Sequence, residues 1–489
     1  MEICLLQEPK TVAALWKSKM FSSPIVIYVV ALKTLFGMKD KAREAYAADN
    51  SGPHRKPHPK SQVAPYNRVD YLTHDSLLRG LIGPGLLPTF QRFRGIFKKQ
   101  TMMCLDRQDQ STQWVPMPDM LQFYKDHIGR AILESIFGPL LLSVNPTFMK
   151  TLWEFDEASP VLARSIPRWL VPHAYRCRDS LIEQIQNWYK YARAQFHDSL
   201  ITEDGNDDPC WGSEMMRERQ QFLLAVDGQD DASLASTDLG LIWVSVTNLV
   251  PSAMMTLLHI FADPVLLRRV RESMRDEVIV TNKGAVGEVA EVEIYMEKVI
   301  KNPLLQAVYA ETLRLYVQAF VTRSSAHEPV AVNQWWLNQE DVVMVNSYPN
   351  HMNKKIWNEG PNGAYPVDIF WADRFLRDPQ DPQSGPMGDR GYQDEKVEMM
   401  SEGTKPFFTL SGLEGQWIPF GGGSSACPGR IFAKRVILYT CAYFVSQFDI
   451  SVPSSTWEMD SSAFGLGTQK PKRKIPFAIR RRILPLEEM

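Results

Sequence analysis

The chain has 489 residues, 44% of them hydrophobic and 11% aromatic, enough for a large core and an apolar pocket. Its 54 Lys and Arg stand against 56 Asp and Glu, and a formal charge of −2 gives no sign of nucleic-acid binding. The six cysteines (Cys4, Cys104, Cys177, Cys210, Cys427 and Cys441) form no CxxC pair and no disulfide-like spacing, which fits a reducing compartment.

From the N-terminus, Met1–Lys10 reads as a strand followed by a helix. The apolar run Pro24–Leu32 is too short to cross a bilayer, which takes about 20 residues. Ser51–Pro65, rich in proline, lysine and histidine, reads as an exposed loop before Asn67–His74, and Glu203–Asp208 reads as a solvated acidic loop. The longest apolar stretch, Asp238–Phe261, has the composition of a membrane span, but Ser245, Thr247 and Asn248 cluster at its middle, which suits a long buried helix. Pro251 removes a backbone donor there and predicts a kink with a free carbonyl; a structural role for Asn248 at that kink stays open beside a functional one.

Asn302-Pro303 opens a capped helix on which Glu311 and Arg314 stand three apart on one face. Such pairs are ordinarily solvated and worth under about 1 kcal/mol. Arg374, in Phe370-Trp371-Ala372-Asp373-Arg374-Phe375, is placed to join Glu311 as a third member, because a guanidinium and a carboxylate make a bidentate brace. Asp378–Gly391 reads as a solvated loop.

Phe420-Gly421-Gly422-Gly423-Ser424-Ser425-Ala426-Cys427-Pro428-Gly429 places one cysteine at the tip of a glycine-rich turn before a helix. The free N–H groups of that helix start point at the sulfur, the glycines permit close approach of a flat group, and Phe420 offers an apolar wall. On spacing alone Cys427 stands between a metal ligand and a buried structural thiol. Thr468–Ile483 alternates like a terminal hairpin, and Arg480-Arg481-Arg482 reads as a solvated basic edge.

Glu311-Thr312-Leu313-Arg314, then Ala372-Asp373-Arg374-Phe375, then Phe420–Gly429 with its Phe-x-x-Gly-x-x-x-Cys-x-Gly pattern, resemble in that order the cytochrome P450 family. The resemblance implies a mainly α fold with a small β component, one P450 domain over 1–489. It also implies haem b with the Cys427 thiolate as axial iron ligand, and Phe420, Gly423 and Gly429 in the cofactor loop. Glu311, Arg314 and Arg374 become the structural triad. Ser425 stands where many members carry a propionate-binding Arg or His, and Arg323 matches another position whose arginine contacts a propionate. Residues 68–90 are expected to touch substrate.

Thr247 and Asn248 stand where members usually carry an acidic residue and a threonine for proton delivery, and are the candidates for that role here. Asn-x-x-Pro in this helix resembles the branch with sterol 7α-hydroxylases, sterol 12α-hydroxylases and prostacyclin synthase. The reading is a monooxygenase that takes O2 and electrons from an NADPH-cytochrome P450 reductase, with Arg430, Lys434 and Arg435 as docking candidates. The overall look of a filamentous-fungal secondary-metabolism member makes the substrate an apolar terpenoid, sterol-like compound or other secondary metabolite. An isomerase or dehydratase without O2 or reductase is one alternative, and an inactive truncated haem-protein remnant another. No nucleic-acid partner is expected. Relative to microsomal members the N-terminal anchor and first strands are expected to be missing; family resemblance puts the chain on the cytoplasmic side of the endoplasmic reticulum membrane, by peripheral contact without a transmembrane segment.

Overall fold

Apolar residues recur at helical spacing through most of the chain, and the computed structural model, which describes residues 2–18, 23–106, 113–282, 291–339, 341–387, 405–453 and 456–482, is built mainly of helices. The elements that frame the site begin with strand β1 (Ile3–Leu5) and helices α1 (Pro9–Lys17), α2 (Ile25–Thr34), α3 (Val69–Leu81) and α4 (Leu86–Asp106). Strand β2 (Val115–Met117) and helices α5 (Phe148–Ala163), α6 (Pro172–Gln195), α7 (Glu214–Leu224), α8 (Asp231–Thr247), α9 (Leu249–Ala262) and α10 (Pro303–Tyr316) follow. The last part holds β3 (Val317–Ser324), β4 (Val342–Asn346), α11 (Arg430–Gln447), β5 (Phe448–Ser451), β6 (Leu466–Thr468) and β7 (Phe477–Arg481).

Among the described residues, two sheets have more than two strands. The larger has the order β1-β4-β3-β6, with β1 parallel to β4 and the other pairs antiparallel. The smaller has the order β5-β7-β2, antiparallel throughout. The expected hairpin over 468–483 is therefore corrected. Leu466–Thr468 pairs with Val317–Ala319, and Phe477–Arg481 lies between β5 and β2, because alternation marks a strand without naming its partner.

The Asp238–Phe261 stretch forms α8 and α9. Taken together as Asp231–Ala262 they are long and apolar enough to cross a membrane, with a mean hydropathy of 1.6, but 78% of the most apolar window is buried, which marks a core helix. The break falls at Asn248, three residues before Pro251, whose missing N–H leaves the Thr247 carbonyl without its usual donor. Val250, Met254, Leu257 and Leu258 of α9 are wholly buried. Helix α9 packs on α10 and α11, and Phe90, Phe93 and Phe97 of α4 meet Tyr439 of α11 edge-on. The acidic run 203–208 departs from its solvated reading at two residues: Asn206 is buried, and so is Asp208, which accepts the N–H groups of Cys210 and Trp211 and pairs with Arg217. An aspartate just before a turn can satisfy backbone donors there. Asp378–Gly391 lies partly outside the described residues.

Candidate functional site

Asn302 Oδ1 caps α10 by accepting the N–H of Leu305 at 3.0 Å, and the helix carries Glu311 and Arg314 inward. Both side chains are fully buried, so the ordinary surface-pair reading fails. Arg314 Nε and Nη2 grip Glu311 at 2.7 and 2.8 Å, and Arg374 Nε donates to Glu311 Oε1 at 3.0 Å. Burial pushes the Glu311 carboxyl up, but the Arg314 and Arg374 charges outweigh it and hold the acid below the ordinary glutamate range. The three residues expected to meet do meet. Arg374 also donates to the carbonyls of Asn358, Tyr365, Pro366 and Ile369, which pins the segment before the cysteine loop.

The brace reaches the cysteine loop through His351, a residue no sequence motif singled out. Arg314 Nη1 donates to the His351 carbonyl at 2.8 Å, and His351 Nε2 accepts the N–H of Ile418 at 3.1 Å. Trp417 Nε1 donates to the Ala310 carbonyl at 3.1 Å, a second tie from loop to α10. Gly421 and Gly423 adopt φ of 67° and 70°, in the left-handed region that favours glycine. A Cβ on Gly423 would lie 2.7 Å from the Trp16 carbonyl, so the turn and its packing on α1 both require that residue.

Cys427 closes the turn with its N–H on the Phe420 carbonyl at 3.0 Å. Burial pushes its thiol up, against the N–H groups of Gly429 and Arg430 and the Arg430 charge, which favour the thiolate. Cys427 is nonetheless surface-accessible, and its loop neighbours Ser425 and Pro428 line a cleft between the loop and α8. Across the cleft, Val244 is 47% exposed near the C-terminal end of α8. Val244, Leu241 and Gly240 share a cavity of about 220 Å³ with Ser425 and Pro428 of the loop. A free thiol flanked by two amide donors, in a loop that lines one cleft with apolar residues of α8, suits a flat apolar group ligated through sulfur, and the residues fit haem.

Arg323 is buried on β3 and donates from Nη2 to the carbonyls of Gly422 and Ser425, both at 3.0 Å. Its first role is thus to clasp the loop; its guanidinium lies over Trp16. Asp70, Thr73, His74 and Leu77 of α3 line the same cavity, within the span expected to touch substrate. Asp70 is a feature the sequence reading missed. Burial drives its pKa up to about 7, against the hydrogen bond from Ser23 Oγ at 2.7 Å.

Thr247 and Asn248, the residues expected to serve proton delivery, both make local hydrogen bonds at the helix break. Thr247 is buried and its hydroxyl donates to the Trp243 carbonyl at 2.8 Å, inside its own helix. Asn248 Oδ1 accepts the N–H of Thr468 at 2.9 Å and so splices the helix break to β6. A Cβ on Gly467, whose φ is +141°, would lie 1.8 Å from that oxygen, so glycine is needed there. Among the described residues Asn248 Nδ2 has no partner and is the one donor of this pair left over. On the other side of the loop, Lys434 donates to Gln306 and Arg435 pairs with Glu297, so neither is a wholly free cation for docking.

Residues 140–477 match the family model described as Cytochrome P450. Cytochrome P450 monooxygenase efuG of Hormonema carpetanum is 36% identical over 84% of this chain and 72% of its own. Cytochrome P450 monooxygenase fsoE of Humicola fuscoatra is 31% identical over 85% of this chain and 71% of its own. Cholesterol 7-alpha-monooxygenase of Cricetulus griseus is 23% identical over 66% of this chain and 57% of its own.

Proposed function

Because the chain belongs to the cytochrome P450 family of haem-thiolate monooxygenases, we propose that it inserts one oxygen atom into an apolar terpenoid, sterol-like compound or related secondary metabolite, with Cys427 as the iron ligand. The observation that carries the reading is the amide-flanked, surface-accessible sulfur of Cys427, whose loop neighbours Ser425 and Pro428 line one cleft with the exposed Val244 of α8. Haem b, when bound, supplies O2 activation at an iron made electron-rich by its thiolate.

The protein's part is to hold and to exclude. Gly429 and Arg430 donors stabilise charge on sulfur, while Arg323, His351 and the Glu311–Arg314–Arg374 brace keep the loop in place. Phe420 packs against the core beside the loop. Leu241, Val244, Leu32 and Phe36 give the cavity an apolar lining that favours a hydrocarbon skeleton and excludes water, and Asp70, His74 and Tyr28 offer polar contacts for an oxygenated end. The left-over amide donor of Asn248 is the group we assign to orienting a proton-carrying water; Thr247 supports it by fixing the helix end.

We take the chain as one domain over 1–489, a reading supported on the N-terminal side by β1, which is hydrogen-bonded into the larger sheet, and by α3, which lines the cavity. Electrons come from an NADPH-cytochrome P450 reductase docking near Arg430, and the protein works at the cytoplasmic face of the endoplasmic reticulum membrane, as family members do. A sterol-like skeleton is favoured by the likeness to a cholesterol 7-alpha-monooxygenase.

The test is turnover under ¹⁸O₂ with NADPH, reductase and a panel of terpenoids and sterols. The reading expects one labelled oxygen per product molecule and dependence on NADPH. Product made without NADPH, or made without label, would sink it.

A further inference from the structure

A second cluster of metal-ligating side chains lies away from the cleft, between α5 and α6. His173 and Cys177 stand four apart on α6, hence on one face, and Glu154 approaches from α5. Cys177 Sγ is 3.5 Å from His173 Nε2 and 3.9 Å from Glu154 Oε2, and the three ligand atoms all lie within 4.8 Å of one another. Tetrahedral zinc, with Zn–S of about 2.3 Å and Zn–N or Zn–O of about 2.0–2.1 Å, sets its sulfur about 3.6 Å from the other ligand atoms. The sulfur-centred spacings are thus already close to those of a bound ion.

We propose that Glu154, His173 and Cys177 form a zinc site that cross-links α5 to α6. The thiol is buried while His173 is exposed, so an ion can enter from solvent and still find a sheltered sulfur. Binding forms a Zn–S bond, releases the thiol proton to solvent and removes water from the ion, leaving the fourth position to one water. Lys150, whose ammonium lies 3.8 Å from the other Glu154 oxygen, is exposed and free to swing away.

The clamp has a route to the cleft. Two residues beyond Glu154, Asp156 accepts the indole N–H of Trp243 at 2.9 Å, and Trp243 neighbours Val244 on α8. An ion that fixes α5 on α6 therefore stiffens the support of the cavity wall.

Calorimetric titration of the haem-loaded full chain with ZnCl₂, run in two buffers of different ionisation enthalpy, tests the site. The proposal expects one equivalent bound with release of about one proton, and no such binding in Cys177→Ser. His173→Ala and Glu154→Gln, both at accessible positions that spare the fold, should weaken binding at least about tenfold, since even an outer-shell loss costs that much. Wild-type protein that takes up no zinc, or binding left unchanged in His173→Ala and Glu154→Gln, overturns it.

Discussion

His351 accepts the backbone N–H of Ile418 on Nε2 at 3.1 Å while its own carbonyl accepts Arg314 Nη1 at 2.8 Å. One residue thereby joins the buried ion triad to the backbone that runs into Phe420 and Cys427. Burial, then the Arg314 charge, lowers the His351 pKa to about 3, so the ring is neutral and its Nε2 free to accept. In His351→Ala the Ile418 N–H is left unpaired in the interior, at a cost of about 1–3 kcal/mol. The haem-to-protein ratio after gel filtration should fall, and His351→Gln, which restores an acceptor, should recover part of it. An unchanged ratio in His351→Ala would show that the loop is held by other means.

Glu311→Gln should be more severe. It leaves Arg314 and Arg374 as buried cations without a counter-charge, and breaking a buried pair in that way costs about 3–5 kcal/mol. Urea unfolding should show a midpoint lowered by more than that of any single surface-pair variant, such as Lys472→Ala. A Glu311→Gln midpoint within error of the wild type would contradict the account of the brace.

The triad's spacing was legible in the sequence, but its burial was not, because three residues along a helix look the same on a surface as in a core. The cysteine loop was legible for a local reason: left-handed torsions at Gly421 and Gly423 leave little choice of residue. Thr247 was harder, since one step along a helix turns a side chain by about 100° and separates a residue facing the cleft from one bonded to its own helix. Asn248 owes its role to Thr468, far along the chain, and His351 acts partly through a backbone carbonyl that no side-chain pattern reports. The mistaken hairpin has the same origin, because both strands find their partners in distant sequence.

Thr247→Val and Asn248→Ala separate the two polar residues at the helix break. The Thr247 hydroxyl is already bonded to Trp243 O, so Thr247→Val should keep product formed per NADPH within about a factor of two and stability within about 1 kcal/mol. Asn248→Ala removes both the acceptor for Thr468 N–H and the left-over donor, and should lower product per NADPH by roughly tenfold or more. The reverse ranking would return proton delivery to Thr247.

Asp70 gives the cavity a pH signature. Its folded pKa is raised to about 7 by burial, against about 3.9 in the unfolded chain, so between those values the folded state holds the extra proton. Asp70 therefore costs stability increasingly as pH rises from about 4 to 7, at up to about 1.4 kcal/mol per pH unit. Asp70→Asn, which keeps an acceptor for Ser23 Oγ, removes that cost. Its melting temperature relative to wild type should rise from pH 5 to pH 8, a comparison in which the buried histidines cancel. A difference independent of pH would mean that Asp70 is ionised in the folded protein throughout.

The carbon-monoxide difference spectrum of the reduced, haem-loaded chain, recorded beside Cys427→Ala, is the most direct test of the central claim. A thiolate on iron predicts a band at about 450 nm that the variant loses while its fold, followed by circular dichroism, persists. A band at about 420 nm in the folded wild-type protein, or a band at about 450 nm that survives in Cys427→Ala, would contradict the assignment of Cys427 as the ligand.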